Sequence, residues 1–334
     1  MANNVTSLRN TEENQHIQEM LDKKALQKQR LEQIIPYLGF VFIFVLFTIV
    51  TNGKFLSASN IENLIVQSFS MAVIAIGAIF VYAHGGMDMS VAATSACGQL
   101  VLAALLLADA PLWAAILACI AVTMIGASSV AGITLVLGVP VFIGSMCIRT
   151  SFQGVLQFIT RSGDLIIDFQ KYEFMNSTAI KLAILLVLAA IGIFMYNYTV
   201  LGKYNKLIGG NSITAEQGGI RNKKWIFIAF LFLGICVGIA SVFSFFRIGK
   251  VTGTTAAGME FNLMIAMALG GVPSSGGEKS KISSAILGAL TVSFLVNGLQ
   301  VWGLDVGLVN GVKGLLFVII VALSYDRSDG KLIS

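Results

Sequence analysis

Ten apolar runs divide this chain: residues 35–51, 64–83, 90–108, 112–137, 140–159, 178–198, 225–246, 258–272, 282–301 and 306–324. Most come close to the ~20 residues with which an α-helix crosses a hydrocarbon layer about 30 Å thick. No water inside such a layer can satisfy backbone N–H and C=O groups. Each run must therefore close its own hydrogen bonds, and a helix does this. Composition agrees: 56% of the 334 residues are hydrophobic, 12% are charged, and the mean hydropathy is +0.83. A soluble domain carries roughly twice that share of charge. The sequence reads as an all-α, polytopic membrane protein with about ten transmembrane helices over residues 34–324.

Polar tails flank this region. Residues 1–33 carry five basic and five acidic side chains and lack the short basic start and cleavable apolar core of a signal peptide. Ile17, Met20, Leu21 and Leu31 give an uneven apolar stripe, which fits either a helix lying on the membrane surface or a solvated tail. Residues 325–334 form the second tail. The net charge of +5 and pI near 9.0 would suggest nucleic acid for a soluble domain. Here they follow from Lys and Arg collecting in loops retained in the cytoplasm, so no nucleic-acid partner is expected.

The loops set the orientation. Residues 199–224 hold Lys203, Lys206, Arg221, Lys223 and Lys224 against Glu216 alone, whereas 161–177 set Arg161 and Lys171 against Asp164, Asp168 and Glu173. The first is read as cytoplasmic and the second as external, and with ten spans both termini are cytoplasmic. On this count the loop 247–257 is external despite Arg247 and Lys250. Two runs end in glycine-rich stretches, "HGGMDMS" (84–90) and "GGVPSSGG" (270–277). These fit broken or re-entrant helices bordering a pathway, or ordinary turns. Cys97, Cys119, Cys147 and Cys236 lie within apolar runs without metal-type spacing and read as small core residues.

Few residues could carry chemistry. The chain shows no phosphate-binding loop of the GxxxxGK[ST] type, no nucleophilic triad and no zinc spacing, so neither a catalytic centre nor a metal site is expected. Arg149 falls near the middle of the fifth run, where an arginine costs about 2.5–3.5 kcal/mol on insertion scales and needs a partner. Asp88 is the acidic residue read as lying at that depth, so a shared Arg149–Asp88 network is expected, with a helix N-cap formed with Ser90 as the alternative role for Asp88. Lys313 reads as snorkelling to the interface. Gln67, Gln99, Asn262, Asn297 and Gln300 are polar positions on apolar spans, suited either to a pathway for a hydroxylated solute or to interhelical hydrogen bonds.

Four stretches occur in order: "GGMDMSVAATSA" (85–96), "VPVFIGSMCIRTSFQGVLQFITRSG" (139–163), "LGKYNKLIGGNSITAEQGGI" (201–220) and "ALGGVPSSGGEKSKISSAILGAL" (268–290). Together they resemble the permease subunit of ribose-type sugar ABC importers over most of the chain from about residue 55. The chain departs from the family pattern in Met87-Asp88-Met89-Ser90-Val91-Ala92, where Ile-Asp-Leu-Ser-Val-Gly is usual. It departs again at Val272-Pro273-Ser274-Ser275, where a Thr-rich stretch is usual. The resemblance implies a dimerising permease in a bacterial cell (inner) membrane. An extracytoplasmic binding protein would deliver the sugar, and a separate subunit using ATP and Mg would drive transport. It also implies that "NSITAEQ" is a short cytoplasmic helix docking on that ATPase, with Gly209, Gly210, Asn211, Ser212, Glu216 and Gly219 shaping it. The rival reading is an ion-coupled secondary transporter with a proton relay through His84 and Asp88.

Overall fold

A computed structural model describes residues 34–324 apart from 274, 278 and 279. The two tails, 1–33 and 325–334, lie outside the described residues. Each of the ten apolar runs is a helix: α1 (Ile34–Val50), α2 (Ala58–Ala83), α3 (Val91–Leu107), α4 (Leu112–Leu137), α5 (Val141–Thr160), α6 (Thr178–Tyr198), α9 (Asn222–Ile248), α10 (Met259–Leu269), α11 (Ile282–Val301) and α12 (Val306–Ser324). Two more helices occupy the basic loop, α7 (Val200–Gly210) and α8 (Ser212–Gln217). Of the helices described, α2, α4, α6, α9 and α11 are long and apolar enough to cross a membrane on length and composition alone. The chain is an all-α polytopic membrane protein.

Helix ends follow local chemistry. In "VLGVPVF", Gly138 takes a left-handed conformation (φ +69°) and its N–H closes α4 onto the Thr134 carbonyl. Pro140 then sits at the N-cap of α5, where its missing N–H leaves no helix bond unmade.

The helices sort into a centre and a periphery. α2 is buried without interruption from Met71 to Ala83, as expected of a helix that is apolar all round and surrounded by others. α6 does the opposite, presenting Leu186, Val187, Ile191 and Phe194 outward, as lipid-facing side chains must be. Two small strands, β1 (Leu165–Ile166) and β2 (Lys250–Val251), pair antiparallel, and Asn176 Nδ2 donates to the Phe246 carbonyl at 2.9 Å. The loops 161–177 and 249–258 therefore share one end of the bundle, as the alternation of spans requires.

Lipid and core are equally apolar, so these helices hold together by close packing of small residues rather than by expelling water. A Cβ added at Gly234 would lie 2.7 Å from Met124 Cα, and one at Gly238 would lie 2.8 Å from Ile120 Cα, so α9 and α4 touch backbone to backbone. Thr123 Oγ1 joins them by donating to the Gly234 carbonyl at 2.9 Å. α10 and α11 are closer still: a Cβ at Gly288 would meet the Ala266 carbonyl oxygen at 1.8 Å. Cys97, Cys119 and Cys236 are free and buried in this packing, whereas Cys147 is exposed on α5, against the expectation of a core position.

Gly288→Val should force α10 and α11 apart and destabilise the protein by about 1–3 kcal/mol or more, the usual range for overpacking. Gly132→Ala, in open space on α4, should leave stability unchanged or slightly raised. Thermal unfolding of the two purified variants in detergent checks both.

Candidate functional site

Four elements part near the β1–β2 end and border a half-open cavity of about 240 Å³, just below the roughly 300–1,000 Å³ of small-molecule sites. α2 supplies Gln67, Ser70 and Met71, α9 supplies Ser244 and Arg247, and α11 supplies Val292, Ser293, Val296 and Gln300. The fourth wall is the entry to α10, with Ala256, Ala257, Met259 and Asn262. Ser244 donates to Ser70 across the cavity at 2.9 Å. Amides and hydroxyls dominate the polar lining and Arg247 is its charged group, so the cavity offers donors and acceptors without a carboxylate.

The five polar positions singled out by sequence thus separate. Gln67, Asn262 and Gln300 line the cavity. Gln99 does not: its Nε2 donates to Ser95 at 3.2 Å, and Ser95 meets Ser241 at 2.7 Å, joining α3 to α9. Asn297 exchanges amide hydrogen bonds with Asn60 at 2.9 and 3.0 Å, joining α11 to the start of α2. These two are interhelical contacts.

The charged residues require two corrections. Arg149 pairs with Glu260, not with Asp88. Asp88 is buried and accepts the Ser90 N–H at 2.7 Å, as a local brace just before α3. Glu260 escaped sequence reading because it falls two residues after Gly258, at the edge of an apolar run, where a loop carboxylate would be ordinary. The signal was present: α10 is short, so its first turn begins at the depth of the middle of α5. Lys313 does not snorkel either. It is buried and its Nζ donates to Asn262 Oδ1 at 2.9 Å, a nearer acceptor than the interface. His84 caps α2 with its ring 6.0 Å from that of Phe230, and no hydrogen bond or ion pair joins it to Asp88 among the described residues.

At the opposite end, three glycine-rich stretches meet. The Ala83 carbonyl at the end of α2 accepts the Gly277 N–H at 2.8 Å. A Cβ at Gly209 would lie 2.0 Å from that carbonyl oxygen and 2.7 Å from Gly277 N, and one at Gly85 would lie 3.2 Å from the Ser275 carbonyl oxygen. The α2–α3 break, the α10–α11 loop and the α7–α8 corner thus touch through their backbones. The approach depends on Gly209 and on Gly276, where a Cβ would lie 2.5 Å from the same Ala83 oxygen, whereas a Cβ at Gly210 meets nothing within 4 Å.

α8 projects from this junction. Asn211 Oδ1 accepts the Thr214 N–H at 3.0 Å, capping the helix. Asn222 Nδ2 donates to the Ser212 carbonyl at 2.8 Å and so ties α8 to the start of α9. Gly219, at φ +84°, follows the helix, which leaves Ile213 and Glu216 exposed and Ala215 buried.

Comparison with known proteins agrees with this architecture. Residues 60–322 match the family model described as the permease component of branched-chain amino acid transport systems. The D-allose transport system permease protein of Escherichia coli K12 is 30% identical, with 83% of this chain and 86% of that protein covered. The ribose import permease protein of Bacillus subtilis strain 168 is 28% identical over 89% of this chain and 94% of its own length. The xylose transport system permease protein of Haemophilus influenzae Rd is 24% identical, covering 92% and 99%. On a family match of this extent, the chain belongs to the permease-component family of branched-chain amino acid transport systems.

Proposed function

We propose that this chain is the transmembrane subunit of an ATP-binding-cassette importer for a sugar or sugar-like solute, placed in a bacterial cell (inner) membrane. The observation that carries the reading is the cavity lined by Gln67, Ser70, Asn262, Ser293 and Gln300, in a chain whose relatives include allose, ribose and xylose permeases. Uncharged amides and hydroxyls match the hydroxyls of a sugar one hydrogen bond at a time, and bonds of about 0.5–1.5 kcal/mol each hold a solute without trapping it.

The cavity lies toward the β1–β2 end, where an extracytoplasmic binding protein would deliver its cargo. The opposite end carries α7, α8 and the basic residues Lys203, Lys206, Arg221, Lys223 and Lys224, and on the positive-inside rule it is cytoplasmic, together with both termini. There the exposed face of α8 docks on a separate ATPase subunit that binds ATP and Mg. The backbone contact at Gly209 then passes its movement to α2 and to the α10–α11 loop. A second permease subunit completes the transporter. The ion-coupled alternative needs His84 and Asp88 to exchange a proton, and their separate contacts do not favour it.

Transport into proteoliposomes that contain the chain, its ATPase subunit and the binding protein should require ATP and survive a protonophore. Ionophore-sensitive, ATP-independent uptake would overturn the proposal. Gln67→Ala and Gln300→Ala should each lower uptake at subsaturating solute by about 2- to 10-fold, the factor for one lost hydrogen bond.

Gly209→Val should abolish uptake while ATP hydrolysis by the assembled complex continues, because the junction can no longer close. Glu216→Lys should weaken uptake through the ATPase contact, and Gly210→Ala should transport like the wild type. Paired uptake and phosphate-release assays on protein that runs as a single species in gel filtration distinguish these outcomes.

A further inference from the structure

The segment from Gly253 to Asn262 has two faces. One closes the polar cavity, through Ala256, Ala257, Met259 and Asn262. The other is fastened to α5 at two places one helical turn apart: Gln153 Nε2 donates to the Gly253 carbonyl at 2.8 Å, and Arg149 pairs with Glu260 while lying 5.8 Å from the centre of the Phe261 ring. A single thickness of chain therefore separates the cavity from α5. Beyond it lies the exposed side of α5, where Thr150, Ser151 and Gln157 alternate with Ile143, Met146 and Phe158.

The fastening is unequal in character. Glu260 is 1% exposed and its Oε2 has no hydrogen-bond partner among the described residues, whereas Arg149 is 33% exposed. Arg149 meets this carboxylate from the exposed side of α5, and Lys313 of α12 also lies within electrostatic reach of it. Its neighbour Asn262 is held from α12 by Lys313. Withdrawal of Arg149 would release the first turn of α10 on one side while Lys313 still holds it on the other, so the wall would swing rather than detach.

We propose that the Arg149–Glu260 pair is a positioning latch: it keeps the Gly253–Asn262 wall shut between the cavity and the exposed side of α5, and it opens as solute passes. The proposal rests on the transport reading above, and its test works without the ATPase. The reporter is Val296→Cys, on the α11 side of the cavity, in protein carrying Cys147→Ser and reconstituted alone in liposomes of mixed orientation. A membrane-impermeant maleimide is applied outside, and molecules whose β1–β2 end faces out give the fast phase of labelling while those whose α8 end faces out give the phase that is read.

With the pair intact, labelling from the α8 side should be slow. Arg149→Gln and Glu260→Gln should each speed it by at least about 10-fold, and Arg149→Lys should keep it slow. The exchanged double variant Arg149→Glu/Glu260→Arg should restore protection relative to either of its single changes. In the full transporter, ATP should accelerate labelling of the wild type but not of Arg149→Gln. Equal resting labelling in wild type, Arg149→Gln and Glu260→Gln would overturn the latch. If Glu260→Gln does not reach the membrane, Arg149→Gln decides alone. Failure of wild-type transporter to take up solute with ATP would instead refute the transport reading, leaving the resting-state result to stand by itself.

Discussion

The Ala83 carbonyl concentrates the problem this protein has to solve. A chain inside a membrane can leave the helical path only where other protein supplies the hydrogen bonds that water would otherwise give. α2 ends at Ala83, and the break after it is met by the Gly277 N–H from a second break and by the backbone at Gly209 from a third. Each irregular stretch satisfies or shields another. Such an approach excludes side chains, which is why glycine recurs at all three places. It also makes the junction mechanically tight, because a carbonyl in contact with two other backbones cannot shift without moving them.

Small residues play the same part along the helices. The contacts of Gly234 and Gly238 with α4, and of Gly288 with α10, replace the hydrophobic driving force that a water-soluble core would have. They also fix where space remains. Because α10 is drawn against α11 near Gly288, its short length is used up toward the α7–α8 end. Its first turn then starts deep in the protein, and the chain leading into it becomes one wall of the polar cavity. The cavity is thus a consequence of a short helix packed tightly at one end.

Charge inside the bundle follows from this arrangement. Glu260 stands at the start of a helix that begins at depth, so it meets Arg149 from the middle of α5, and Asn262 two residues later meets Lys313 from α12. Breaking such a buried pair leaves an uncompensated charge, which is far more costly than the pair itself is stabilising. Asp88, by contrast, finds its hydrogen-bond partner locally, in the Ser90 N–H.

Much of this was legible in the sequence. Apolar runs of membrane-spanning length announce helices, because backbone hydrogen bonding within lipid allows little else, and all ten are helices in the structure. The short helix at "NSITAEQ" was legible through the family resemblance, and the structure shows it capped by Asn211. What the linear chain could not express were partnerships. Gly209 and Gly210 are neighbours of identical chemistry, and only the position of the Ala83 carbonyl makes one indispensable to close packing and leaves the other open. Gln67, Gln99, Asn262, Asn297 and Gln300 looked alike as polar residues on apolar spans, yet helix rotation turns three toward a cavity and two toward neighbouring helices. Arg149 demanded a counterion on energetic grounds alone. That the counterion is Glu260 was decided by the depth at which α10 begins, a property of packing between helices distant in sequence.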